Sequence, residues 1–284
     1  MKARSSPQSA AFRRWFAGSK AVTKDGEPMV LFHGTRSPID FDAFETGNVR
    51  DERSGDLVLS CAGDPSTYMG PHFAEEYEVA SRFAEGNAAK WDDLRYVADV
   101  EGGHGGRVLP VYLSVKGVRY FPSDEAMSSW IFKHGKSSYL HNEAWDMAQA
   151  GFFADELDDP SDPDSFDVEE FLRDHSNIRR VIRYLNERET DDGVCGAAPV
   201  YEELGASAKK VLLAEGYDAV KYKNSVEGGT SWIALKPGSV KSAVGNSGAW
   251  DPSSDSLTDP GRPRRRPPTR RARGTGGTSR SRRA

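Results

Sequence analysis

Residues 29–37, MVLFHGTRS, place a short apolar run directly before a histidine, a glycine and a threonine. The run 29–32 has the composition of a buried strand, and Gly34 permits a close approach of a flat ligand to the backbone. The neutral imidazole of His33 can donate or accept a hydrogen bond with a sugar hydroxyl. On these residues alone, the stretch is either an ordinary junction between a strand and a loop or one wall of a nucleotide pocket.

The composition of the chain is typical of a soluble globular protein. Of its 284 residues, 37% are apolar and 29% are charged, and no apolar run approaches the roughly 18 residues that a membrane span needs. The N-terminal sequence lacks the apolar core of an export signal. Cys61 and Cys195 match neither a metal-binding spacing nor a disulfide framework. We therefore expect a cytoplasmic protein without membrane contact and without a metal.

The charge is distributed unevenly along the chain. Residues 261–284 contain ten arginines and no acidic residue, whereas the whole chain has a net charge of −5. The body is therefore strongly acidic, which argues against broad binding to a phosphate backbone. The sequence predicts a disordered tail over 253–284 that is rich in Arg, Pro and Gly. This tail either contacts nucleic acid or another polyanion through 261–284, or only solubilises the chain.

Helical and extended patterns are interspersed along the chain. Strands are expected over 29–32, over 105–121 with interruptions at Pro110 and Gly117, directly after Gly216, and over 232–235. Helices are expected over 10–17, 74–85, 124–134, 141–153, 167–174, 176–188 and 200–215. Residues 41–60 read as loop. The segment 123–200 is predicted to be a mainly helical insertion, whose aromatic residues form either a core or a surface for a partner or substrate.

Two further segments carry candidate site residues. In Gly70-Pro71-His72-Phe73, either ring can stack on a flat ligand, or the segment simply begins a helix with Phe73 in the core. In the loop 224–232, Glu227 is a carboxylate between flexible residues that can reach into a cleft, or it is only a solvated surface group. The phosphate loop, the dinucleotide-binding glycine pattern, HExxH, GxSxG and CxxC are all missing from the sequence, which disfavours the enzyme classes that they mark.

The order of these segments resembles the ADP-ribosyltransferase domains of the diphtheria-toxin and poly-ADP-ribose-polymerase class, as found in phage-derived and polyvalent bacterial proteins. FRRWFAGSKAVTKDGEPMVLFHGT (12–35) is similar to the start of such domains, which leads to an aromatic-His-Gly-Thr motif. GPHFAEEYEVASRFA (70–84) is similar to their Gly-x-(Tyr/His)-Phe segment. The residues 216–252 resemble their C-terminal segment, which ends in Gly-aromatic-Asp-Pro. The resemblance covers about 12–120 and 200–252.

The resemblance implies an α+β fold, with a domain over 10–252 that forms a split β-sandwich with flanking helices and binds NAD+ in the cleft. It implies that His33, Gly34 and Thr35 bind NAD+, with His33 on the adenosine ribose, and that His72 or Phe73 contacts the nicotinamide ring. The family's catalytic glutamate precedes the aromatic residue of the final strand, where this chain has Ser231.

We therefore expect Glu227, assisted by Ser231, to carry catalysis, and we expect the transfer of single ADP-ribose units to a protein or nucleic-acid acceptor. The alternative is an inactive domain of the same fold that binds nucleic acid or associates with a virion through the basic tail. The enzyme acts either in the cytoplasm of the cell that makes it or after delivery into a bacterial host.

Overall fold

The computed structural model describes residues 9–35, 42–44, 48–50, 57–59, 64–85, 107–153, 165–187, 196–244, 246 and 250–258. The arginine-rich segment 261–284 lies outside the described residues, so the predictions for it stay predictions.

The described residues contain nine strands and seven α-helices. The strands are β1 (Leu31–Thr35), β2 (Asn48–Arg50), β3 (Leu57–Leu59), β4 (His72–Ala74), β5 (Arg107–Leu113), β6 (Val118–Phe121), β7 (Ala219–Lys223), β8 (Thr230–Ala234) and β9 (Val240–Ser242). The helices are α1 (Ala10–Phe16), α2 (Tyr77–Glu85), α3 (Asp124–His134), α4 (Ser138–Gln149), α5 (Val168–Phe171), α6 (His175–Glu187) and α7 (Ala198–Ala214).

Seven of the described strands form one sheet in the order β6-β7-β8-β4-β1-β5-β9, and β2 pairs with β3 in a separate two-stranded sheet. The α+β class is therefore confirmed. The large sheet is narrowest between β4 and β1, where a single residue pair, Phe32 with Ala74, forms the ladder. On either side of this junction β4 pairs with β8 over three residues and β1 pairs with β5 over five. The sheet thus consists of two halves that meet along a very short contact.

The two faces of the sheet have different surroundings. Paired residues of antiparallel strands project to the same face, so Ser231, Tyr222 and Ala74 share one face, and Trp232 and Phe73 share the other. On the first face, α2 packs over β1 and β5, and the helices α3 to α7 build a large core over β6, β7 and β8. On the second face, a smaller core includes Leu31, Phe73, Trp232 and Leu257.

The C-terminal end of the described chain is held against β9. The ammonium of Lys241 is fully buried and donates to the carbonyls of Ser254 and Ser256, both at 2.6 Å. Leu257 is buried, and its amide donates to the carbonyl of Asp42. Residues 253–258, which the sequence analysis assigns to the tail, therefore pack against the sheet.

The element predictions held best where a helix has a repeating apolar face. The helix 124–134 has the predicted bounds, whereas the loop expected over 41–60 contains β2 and β3, and the helix expected from residue 74 begins at Tyr77 because 72–74 form a strand. Pro110 does not interrupt β5. Its carbonyl accepts from the backbone N–H of Ala243, which lies just beyond the end of β9. The nitrogen and the carbonyl of one strand residue point to the same side, so the nitrogen of Pro110 also faces this position. The N–H that proline lacks therefore removes no bond from the ladder.

Candidate functional site

His33 lies inside β1 and bridges the narrow junction of the sheet. Its Nδ1 is 2.7 Å from the carbonyl oxygen of His72. Because a carbonyl only accepts, Nδ1 carries the proton, and Nε2 of the neutral ring is the acceptor. Burial lowers the pKa of His33 from 6.5 to about 4, so the ring is neutral at physiological pH. The ring packs edge-on against Phe44, with 4.7 Å between the ring centroids. His33 is thus fixed in one tautomer, in which Nε2 is the acceptor nitrogen.

Gly34 and Thr35 continue β1, so the strand does not end at His33 as the sequence suggested. A Cβ on Gly34 would lie 2.0 Å from the carbonyl oxygen of Ala80 and 2.9 Å from Cβ of Phe83. The missing side chain therefore makes room for the backbone of α2. The prediction that the backbone of Gly34 also contacts a ligand is compatible with this packing.

His72 is held by hydrogen bonds at both ring nitrogens. Its Nε2 lies 3.2 Å from the carbonyl oxygen of Ser66 and therefore donates, so Nδ1 accepts from the hydroxyl of Tyr222, also at 3.2 Å. Burial lowers the pKa of His72. The residue is only partly buried, and its side chain lies on the same face of the sheet as Tyr222.

Phe73 projects to the opposite face and is only 2% exposed. Its ring contacts His33 and Phe44, with centroid distances of 5.7 and 5.5 Å. Of the two predicted ring-contact residues, His72 therefore offers more accessible surface. The sequence analysis missed a third aromatic residue, Phe83 on α2, which is 39% exposed and adjoins Gly34.

The loop 224–229 joins β7 to β8 and carries Glu227. Gly228 and Gly229 adopt φ values of 87° and 76°, which L side chains rarely adopt. The side-chain Oδ1 of Asn224 accepts from the amides of Val226 and Glu227 at 3.1 and 3.0 Å. These contacts fix the conformation of the loop around the buried side chain of Asn224.

Helix α2 also holds this loop. Arg82 donates from Nη1 to the backbone carbonyl of Glu227 at 3.0 Å. A Cβ on Gly229 would lie 2.4 Å from Oε2 of Glu76, so the carboxylate of Glu76 lies directly against the loop. The helix that packs on Gly34 therefore also holds the backbone of the loop that carries Glu227.

Ser231 is buried at the start of β8, opposite Tyr222 of β7. Its Oγ accepts from Nδ2 of Asn224 at 3.2 Å. Burial and the negative charge of Glu227 raise the pKa of Tyr222, and a hydrogen bond with Ser231 acts in the opposite direction. The phenol is therefore protonated and lies within the electrostatic reach of Glu227.

The structure thus brings His72, Glu227 and Ser231 together and places the ring of His33 on the other face of the sheet. The link between them is the hydrogen bond from His33 to the backbone of His72. Sequence reasoning missed Tyr222 and Asn224 as site residues. Their two-residue spacing before the Gly-Gly loop was the available signal, because alternate strand residues project to one face.

Among the described residues, no group of three or more His, Cys, Asp or Glu side chains is arranged to hold a metal ion. None of the helices in the described part of the chain is long and apolar enough to cross a membrane.

Two surface concavities lie near Arg173 on the α5–α6 side and near Glu203 between α4 and α7, and neither is lined by a predicted site residue.

The α+β architecture agrees with the fold that the sequence resemblance implies for a transferase of this class. A family model described as ADP-ribosyltransferase in polyvalent proteins matches residues 23–250. This match spans most of the chain, and the chain therefore belongs to that family. No curated protein and no solved structure matches the chain.

Proposed function

We propose that this protein transfers single ADP-ribose units from NAD+ to a protein or nucleic-acid acceptor and releases nicotinamide. The observation that carries the proposal is the arrangement of Glu227 and Ser231. The backbone N–H of Glu227 and the hydroxyl of Ser231 both contact the same buried side chain, Asn224. Ser231 lies opposite Tyr222 in the ladder, and the negative charge of Glu227 raises the pKa of Tyr222, so both side chains belong to one polar cluster.

The chemistry follows from the charge that develops on the ribose. As the bond between C1′ and the nicotinamide nitrogen breaks, nicotinamide leaves as a neutral molecule and positive charge builds on the sugar ring. A preorganised carboxylate stabilises this charge, because it needs no reorganisation when the bond breaks. In our proposal Glu227 supplies the carboxylate, and Ser231 helps to orient a ribose hydroxyl. An acceptor nucleophile then attacks C1′ and loses its proton to solvent or a neighbouring base.

We assign residues of β1, β4 and α2 to the binding of NAD+. Nε2 of His33 is an acceptor for an adenosine-ribose hydroxyl, because Nδ1 is committed to the carbonyl of His72. The backbone of Gly34 and Thr35 contacts the nicotinamide half, and His72 with Phe83 supplies ring contacts. Phe73 acts from the core by supporting His33.

The experiment is incubation of the purified chain and a bacterial lysate with NAD+ labelled in its adenylate phosphate. We expect nicotinamide release and labelled acceptors, and digestion of the products with a phosphodiesterase should yield AMP alone, because Ser231 cannot act as the carboxylate that chain elongation uses. His33→Ala should weaken the binding of NAD+ in a calorimetric titration. A wild-type chain that neither binds nor consumes NAD+ would overturn the proposal. Phosphoribosyl-AMP among the products would refute transfer of single units.

We further propose that residues 261–284 bind a polyanion such as nucleic acid. Ten arginines without an acidic residue support this partner. Binding of the full chain to double-stranded DNA should weaken steeply between 50 and 200 mM salt, about as expected for several phosphate contacts. Deletion of 261–284 should abolish it. Salt-independent binding, or binding that survives the deletion, would contradict the assignment. If the DNA binding is confirmed and no NAD+ is consumed, the chain is a binding module of this fold.

A further inference from the structure

A continuous series of hydrogen bonds runs from the loop of Glu227 to β4. It starts at the amides of Val226 and Glu227, which donate to Oδ1 of Asn224. Nδ2 of Asn224 then donates to Oγ of Ser231 at 3.2 Å. Tyr222 lies opposite Ser231 in the ladder, where a hydrogen bond with Ser231 acts to lower its pKa, and its hydroxyl contacts His72. Asn224, Ser231 and Tyr222 are each at most 6% exposed.

The direction of every bond in this series is determined by its two ends. Backbone amides only donate, so the acceptor at their end is Oδ1 of Asn224, and the NH₂ group must face Ser231. At the other end, the carbonyl of Ser66 only accepts, so Nε2 of His72 is protonated and Nδ1 accepts from the Tyr222 hydroxyl. The oxygen of Tyr222 is thereby an acceptor for the Ser231 proton. Reversal of the bonds at either end would leave a buried polar group unpaired, which is costly.

We propose that Asn224 is the positioning residue of this site, holding the Glu227 loop through Oδ1 and orienting the Ser231 hydroxyl toward Tyr222 through Nδ2. The catalytic part of this inference rests on the proposed roles of Glu227 and Ser231. The bond directions do not, and they can be measured without NAD+. The alternative is that Asn224 only stabilises the hairpin. Its backbone N–H also donates to the carbonyl of Gly229.

Two substitutions separate the two functions of the side chain. Asn224→Asp keeps an acceptor for the two loop amides but cannot donate to Ser231 when it is ionised. Asn224→Ala removes both contacts. The control is Asn142→Asp, which makes the same change at an exposed position of α4.

Hydrogen exchange followed by NMR tests the loop contact. In Asn224→Ala the amides of Val226 and Glu227 should exchange roughly 5- to 10-fold faster, the factor expected for loss of one hydrogen bond. In Asn224→Asp and in the control they should keep their protection within about twofold. Unchanged protection in Asn224→Ala would overturn the inference.

The ¹⁵N shifts of His72 test the other end of the series. Wild-type His72 should show a protonated Nε2 and an Nδ1 that accepts a hydrogen bond, and Tyr222→Phe should move the Nδ1 shift toward that of an unbonded nitrogen. A protonated Nδ1 in the wild type would refute the proposed directions. This readout stays valid if Asn224→Ala does not fold.

Steady-state nicotinamide release distinguishes positioning from stability. In Asn224→Asp we expect kcat to fall about tenfold or more while KM stays within about twofold, because the loop is retained and the Ser231 hydroxyl is misdirected. Wild-type kcat in this variant would overturn the positioning role. If the wild-type chain releases no nicotinamide, the proposed function fails, whereas the exchange and ¹⁵N data still decide the hydrogen-bond series.

Discussion

Substitution of Gly34 by alanine tests whether this glycine serves helix packing or ligand approach. The new Cβ would lie 2.0 Å from the carbonyl oxygen of Ala80, whereas ordinary van der Waals contacts begin near 3.4 Å. The obstructing atom belongs to the backbone, so no side-chain rotation relieves the overlap. Helix α2 must therefore move away from β1 by roughly 1 Å, and overpacking of this kind costs about 1–3 kcal/mol.

For a chain of this size, that cost corresponds to a decrease in Tm of roughly 3–10 °C. The matched control is Gly26→Ala, where φ is +82° but nothing lies within 4 Å of the new Cβ. The control carries only the conformational penalty, about 1 kcal/mol, so its Tm should decrease less. Differential scanning calorimetry of both variants measures this difference. If Gly34→Ala melts no lower than Gly26→Ala but loses NAD+ binding, the glycine serves ligand approach and the packing argument is wrong.

Two further predictions concern titration and the C-terminal segment. The pKa of His33 is about 4 in the folded chain and 6.5 in the unfolded chain. As the pH decreases, the unfolded state therefore binds the proton first. The free energy of unfolding falls by at most about 3 kcal/mol between pH 6.5 and pH 4. His33→Asn keeps a donor for the carbonyl of His72 and should flatten this dependence in urea unfolding at pH 4.5 and 7, whereas an unchanged slope would contradict the assignment. Lys241→Met removes the donor to two carbonyls at 2.6 Å and should cost about 2 kcal/mol. Faster proteolysis within 250–258 should accompany this loss, and a wild-type cleavage rate would show that Lys241 does not hold the segment.

The sequence predicted the helices with a repeating apolar face but not the shortest strands. β4 has only three residues and is defined by its neighbours, because Phe73 pairs with Trp232 and Ala74 pairs with both Ser231 and Phe32. Such pairing depends on tertiary contacts and leaves no periodic signal in the local sequence. The same reason explains why the residues 48–50 and 57–59 were assigned to a loop.

The sequence motifs of the candidate site could be predicted, whereas the contacts between its side chains could not. His33, His72 and Glu227 were candidates because they lie beside strands, and the order of the motifs indicated the family and suggested their roles, which stay predictions. The network of Asn224 and Tyr222 depends on the register between β7 and β8, which sets Tyr222 opposite Ser231. Register is decided by packing across the whole sheet and is not encoded in one short segment.

The most direct test of the account is nicotinamide release from NAD+ by Glu227→Gln. This change removes the charge and keeps the size of the side chain, and the loop contacts of residue 227 to Asn224 and Arg82 use its backbone. Glu202→Gln, an exposed position on α7, is the control for loss of one carboxylate. We predict that Glu227→Gln retains NAD+ binding and lowers kcat by about 100-fold or more, as expected when an electrostatic stabiliser is removed, whereas Glu202→Gln keeps the wild-type rate. A wild-type rate in Glu227→Gln would contradict the claim that this carboxylate carries the reaction.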